Sequence, residues 1–82
     1  MKEIRIIWPD GQTMTAGSYR EVLDDWRADQ WHVYSHRGFR REMANRAGVY
    51  AGQRVRISGS SRAFLRRLEG LDMFRIEEGE DQ

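Results

Sequence analysis

The chain has 82 residues, a net charge of +1, one third charged residues and no cysteine. That length suits a single domain, and the missing thiols exclude a disulfide framework and a thiolate metal site. Without a long apolar run at the start, neither a signal peptide nor a membrane span is expected, which points to the cytoplasm.

Residues 2–8 read as a strand, with Ile4, Ile6 and Trp8 on one side and Glu3, Arg5 and Ile7 on the other. Pro9-Asp10-Gly11 is a turn signal, and 12–16 return as the second arm of a hairpin. Ser18 with Glu21 three residues later is a capping box. It opens a helix over 19–30, in which Tyr19, Val22, Leu23 and Trp26 share one arc. Residues 31–35 form a link. A second helix follows from about Gly38, with Phe39, Met43 and Ala47 on one face and Arg40 and Arg46 flanking it; it ends at Gly48, a natural stop, or runs on to Tyr50.

Residues 53–58 alternate, with Val55 and Ile57 inward and Arg54, Arg56 and Ser58 outward, which predicts a third strand. Gly59-Ser60-Ser61 supplies a turn and a cap for a third helix over 62–69, built on Phe64, Leu65 and Leu68 and ended by Gly70. Residues 73–77 alternate again around Phe74 and Ile76. Together these elements predict one α+β domain over 1–77, ordered β-β-α-α-β-α-β, with three helices on one face of a small mixed four-stranded sheet. Residues 78–82 read as a flexible acidic tail. The uncovered sheet face would carry Arg5, Arg54, Arg56 and Arg75, with Glu3 and Glu77 among them.

The opening Ile4-Arg5-Ile6-Ile7-Trp8-Pro9-Asp10-Gly11, followed by the helix capped at Ser18, resembles the start of ubiquitin-like β-grasp domains such as the TGS module. That resemblance implies an architecture for about a third of the chain and no functional residues. Asp29-Gln30-Trp31 and Phe39-Arg40-Arg41-Glu42-Met43-Ala44 look like segments common in short proteins of actinobacterial phages. Such an origin implies a small protein that binds a host component.

Between His32 and Arg67 the chain holds nine arginines and one acid, Glu42, whereas 68–82 hold six acids and one arginine. Thirteen of the fourteen basic residues are arginine, through codon bias or because the planar fork suits phosphate and carboxylate. His32 and His36 have a metal-ligand spacing, but the chain has no cysteine to complete a site and their segment is not a secure helix, so no metal and no cofactor is expected. The Asp24, Asp25 and Asp29 carboxylates belong to a solvated helix face. No paired nucleophile and base is present, so no enzyme is expected.

The expected function is a binding protein that holds nucleic acid or a phosphorylated small ligand through Arg37, Arg40, Arg41, Arg54, Arg56, Arg62 and Arg66. The alternative is an inhibitor or adaptor docking its basic face on an acidic host protein, with Trp31 and Tyr34 from the link as anchoring aromatics. Edge strands and a small core also leave room for a homodimer.

Overall fold

The computed structural model describes residues 3–79, in six elements: β1 (Glu3–Ile7), β2 (Thr13–Ala16), α1 (Tyr19–Ala28), α2 (His36–Ala51), α3 (Ser61–Gly70) and β3 (Arg75–Gly79). The hairpin closes where the turn residues predict. The Trp8 carbonyl accepts from the Gly11 N–H at 3.0 Å, and the Asp10 carboxylate accepts from the Gln12 N–H at 3.0 Å. Gly11 takes a φ of 90°, which side chains disfavour.

β3 pairs with the free side of β1, giving an antiparallel sheet in the order β2-β1-β3. The mixed four-stranded sheet expected from the sequence is therefore three-stranded and antiparallel. The strand that fails is 53–58. Its alternation survives, since Val55 and Ile57 pack on the core while Arg54, Arg56 and Ser58 stay exposed. What it lacks is a neighbouring strand, and period two alone cannot say whether one exists.

One face of the sheet is the floor of the core. Ile4 and Ile6 of β1 and Ile76 of β3 are buried there, beneath Val22, Leu23 and Trp26 of α1, Phe39 and Met43 of α2, and Phe64, Leu65 and Leu68 of α3. The other face is bare and polar. Arg5 lies in register between Thr15 and Glu77, and Ile7 between Thr13 and Arg75. Arg5 and Arg75 thus take the outward positions expected of them, while Arg54 and Arg56 lie outside the sheet.

Each helix has a serine N-cap: Ser18, Ser35 and Ser60 accept from the amides three residues on. The Glu21 carboxylate reaches back one residue further than a capping box requires, to the Gly17 N–H at 3.0 Å. α2 does not stop at Gly48 but at Gly52, whose φ is 68°. Gly48 instead serves close packing, because a Cβ there would sit 2.5 Å from the Gln53 carbonyl oxygen. β3 runs to Gly79, so Glu78 belongs to the sheet rather than to a tail; residues 80–82 of that expected tail lie outside the described residues.

Candidate anion-binding surface

Segment 53–59 is held by arginines where a strand would be held by another strand. In an extended chain successive carbonyls point to opposite sides. On one side Arg40 of α2 donates to the Ile57 and Gly59 carbonyls, both at 3.0 Å. On the other, Arg67 of α3 donates to the Arg56 carbonyl at 3.2 Å and the Ser58 carbonyl at 2.5 Å. Arg40 is further fixed over the Phe64 ring, 5.2 Å from its centroid. Its head is therefore not simply solvated at the flank of α2, as amphipathic spacing suggested; it is a structural clamp.

Replacing Arg40 with Met keeps the stem and removes the clamp. The expected loss is about 1.5–3 kcal/mol, the usual worth of bonds to a charged donor. Trypsin should then cut after Arg54 and Arg56 about tenfold faster or more, through local opening of the segment. Unchanged cleavage would show that Arg67 and side-chain packing hold the segment alone.

A second group of cations is neutralised internally. Glu78 lies on the helix-covered side of β3, in register with Ile4, and reaches Tyr19 of α1 as well as α3. Arg66 donates to Glu78 at 3.3 Å, to Glu69 at 2.9 Å and to the Tyr19 hydroxyl at 3.1 Å. Arg62 stands 3.9 Å from Glu78. Glu69 also accepts from the Ile76 amide at 2.7 Å, tying α3 to β3. Burial alone would push the Glu69 carboxyl up, but the Ile76 amide and Arg66 together hold it below its usual value. Burial, reinforced by the Glu78 bond, pushes the Tyr19 hydroxyl up.

Because the folded Glu69 pKa lies below the unfolded one, its contribution is complete above the unfolded value of about 4.3 and disappears as pH falls through the folded value. Glu69→Ala should cost about 2 kcal/mol at pH 7, and the gap to the parent protein should close below about pH 4. Urea unfolding midpoints between pH 3 and 7 measure this; a gap independent of pH would assign the loss to packing.

Four of the seven arginines singled out by sequence remain exposed with no acidic partner among the described residues: Arg37 and Arg41 of α2, and Arg54 and Arg56 of the segment. Arg40, Ala44 and Gly48 form one i, i+4 row of α2, and both ends of that row meet the segment, Arg40 at Ile57 and Gly48 at Gln53. Arg37 and Arg41 occupy the neighbouring row on the solvent side, next to the segment whose outer face carries Arg54 and Arg56. These are four exposed guanidinium groups on two adjoining elements, with Arg54 and Arg56 bordering a groove beside Arg67 and Gly70 of α3. Arg46 is not among them, being paired with Glu42 at 3.3 Å.

The two link aromatics separate. Trp31 is fully exposed, at 104%, while Tyr34 packs against the core with its ring 5.8 Å from that of Phe39. The histidines separate as well: His32 meets the Tyr34 ring edge-on, and His36 lies 3.4 Å from Asp24. Sequence reasoning missed Arg67 as a clamp. It adjoins Leu68 at the edge of the apolar arc of α3, as Arg40 adjoins Phe39 in α2, and that flank position was the available signal. No family model, curated protein or solved structure matches this chain.

Proposed function

We propose that the protein is a non-catalytic binding module whose strip of Arg37, Arg41, Arg54 and Arg56 holds a polyanion, single-stranded nucleic acid in the first instance. The observation that carries this reading is the pinned segment. Two clamps hold the carbonyls of residues 56–59 and the Gly48 carbonyl holds the Gln53 N–H, so Arg54 and Arg56 stand on a segment anchored at both ends, without competition from described carboxylates. Guanidinium forks match phosphate oxygens, and several on one surface release counterions together. Arg66 is bound to Glu69 and Glu78 and Arg62 stands on the same side, 3.9 Å from Glu78, so we leave both out of this surface, and Arg40 supports it from beneath.

Fluorescence anisotropy of labelled single-stranded oligonucleotides between 50 and 500 mM salt tests the reading. With four phosphate contacts at about −0.7 each, log K against log salt should have a slope of about −3. Absence of binding at 50 mM salt would remove nucleic acid as the partner. A second reading, docking on an acidic protein, is favoured by one specific observation: Trp31 and Val33 are exposed at 104% and 91% just ahead of Arg37. Apolar anchors beside a basic strip suit a protein surface. A partner captured from lysate that survives nuclease and is lost with Trp31→Ala supports that alternative.

A further inference from the structure

The two edges of the sheet are unequally guarded. Along an antiparallel ladder, hydrogen-bonded pairs recur at every second residue. β1 and β2 are bonded where the Trp8 N–H donates to the Gln12 carbonyl at 2.9 Å, so the next bonded pairs are Ile6 with Met14 and Ile4 with Ala16. The β3 side keeps the same phase: opposite Ile6, the Ile76 N–H turns away from β1 and donates to Glu69 at 2.7 Å. The backbone N–H and C=O groups of Thr13 and Thr15 therefore point outward from β2, with no partner among the described residues.

Proteins blunt such edges with charge, proline, a bulge or a covering element. β3 has charge and cover: Arg75, Glu77 and Glu78 lie along it, and Glu69 of α3 takes its outward Ile76 amide. β2 has none of these. Residues 12–17 contain no charge and no proline, and the register with β1 is unbroken. An unguarded edge of this kind is a template for a further strand.

α1 decides which strand fits. It packs over β2 and runs back along it, since Glu21 accepts from the Gly17 N–H just past the end of β2 and Trp26 meets Trp8 near its start. Arg20, Asp24 and Arg27 take the flank of α1 that faces α2 and α3. Glu21, Asp25 and Asp29 form an i, i+4 row on the other flank, exposed and with no cationic partner among the described residues. Successive carboxylates in that row are about 6 Å apart along the axis, four residues at about 1.5 Å each. Alternate residues of a strand are separated by nearly the same distance, about 6.6–6.8 Å. Two copies joined through β2 would bring two acidic rows together, so charge favours a cationic strand over a second copy.

We propose that β2 accepts an extended basic segment of another protein as a fourth strand, its alternate lysine or arginine side chains facing Asp25 and Asp29. Backbone bonds to Thr13 and Thr15 hold the segment, and the acidic row selects its charge. The surface shares no residue with the arginine strip and does not rest on the nucleic-acid reading.

Amide NMR of the full chain at 50 mM salt, titrated with a capped seven-residue peptide of alternating Thr and Lys, tests this. The Thr13 and Thr15 amides should shift to saturation and exchange with solvent about tenfold more slowly or less in the bound state. N-methylating one alternate set of peptide amides should weaken binding about tenfold or more, and methylating the other set less than about threefold, because only one set faces β2. Asp25→Asn with Asp29→Asn, both surface changes, should weaken binding about fivefold and flatten its salt dependence. Thr15→Pro removes an outward N–H that the sheet does not use, and should abolish binding while the fold persists by circular dichroism. Arg54→Gln with Arg56→Gln should leave binding unchanged. Absence of saturation, equal effects of the two methylated sets, or indifference to the aspartate changes would each overturn the assignment. So would protection of the same amides by rising protein concentration without peptide, which would give the edge to a second copy.

Discussion

Trp26→Ala should abolish cooperative unfolding near physiological temperature. Trp26 is 8% exposed, and its ring meets three others edge-on: Trp8 at 5.8 Å, Phe39 at 4.9 Å and Phe74 at 5.7 Å. Those partners come from the turn after β1, from α2 and from the entry to β3, so one side chain joins hairpin, helix layer and last strand. Truncating a buried tryptophan costs about 3–5 kcal/mol. A chain of this length is stabilised by roughly 4–12 kcal/mol in all, at 0.05–0.15 per residue. The melting temperature should fall by about 15 °C or more if any transition survives. Trp26→Phe keeps a ring in place and should retain a clear transition. Trp31→Ala, at a fully exposed position, should change stability by less than about 0.5 kcal/mol. Thermal melts of the three variants measure this, and a Trp26→Ala protein melting within a few degrees of its parent would show that the aromatic cluster is not the keystone.

The elements that were legible share a feature: their determinants are local. Ser18 and Ser60 cap helices through amides three residues away, and Gly11 supplies left-handed backbone where the chain must reverse; the ends of α2, capped by Ser35 and Gly52, were not singled out. The misread strand failed for the opposite reason. Val55 and Ile57 alternate inward in an extended segment as they would in a strand, and only the location of hydrogen-bond partners separates the two. Those partners are Arg40, seventeen residues from Ile57, and Arg67, eleven from Arg56, and neither position advertises the contact. Gly48 misled in the same way. A glycine near the end of an amphipathic run looks like a stop, yet here it admits the Gln53 carbonyl.

The arginine block was legible as a block and not as a surface. A count of charges cannot say which guanidinium groups the fold itself consumes. Arg40 and Arg67 go to backbone carbonyls, and Arg62 and Arg66 face Glu78, which β3 brings onto the helix side of the sheet. That placement depends on the antiparallel register of β3 with β1, a long-range pairing that no local pattern encodes.

Substituting Gln for Arg54 and Arg56 together should weaken oligonucleotide binding about tenfold at 50 mM salt and take about 1.4 from the magnitude of the salt slope, two contacts at about 0.7 each. Both side chains are exposed and their backbone is held by other residues, so stability should shift by less than about 0.5 kcal/mol per site. Extending the change to Arg37 and Arg41 removes four positive charges, turning a net +1 into −3, and should flatten the slope almost to zero. The decisive comparison is charge-matched. Arg5→Gln with Arg75→Gln also removes two charges, but from the bare face of the sheet, where Glu77 lies in register with Arg5 and pairs with Arg75 at 3.4 Å. If the strip is the binding surface, this second pair should leave the slope near −3, because counterions are released only where phosphates dock. Equal losses from both pairs would mean that overall charge, rather than a surface built on a clamped segment, draws the polyanion.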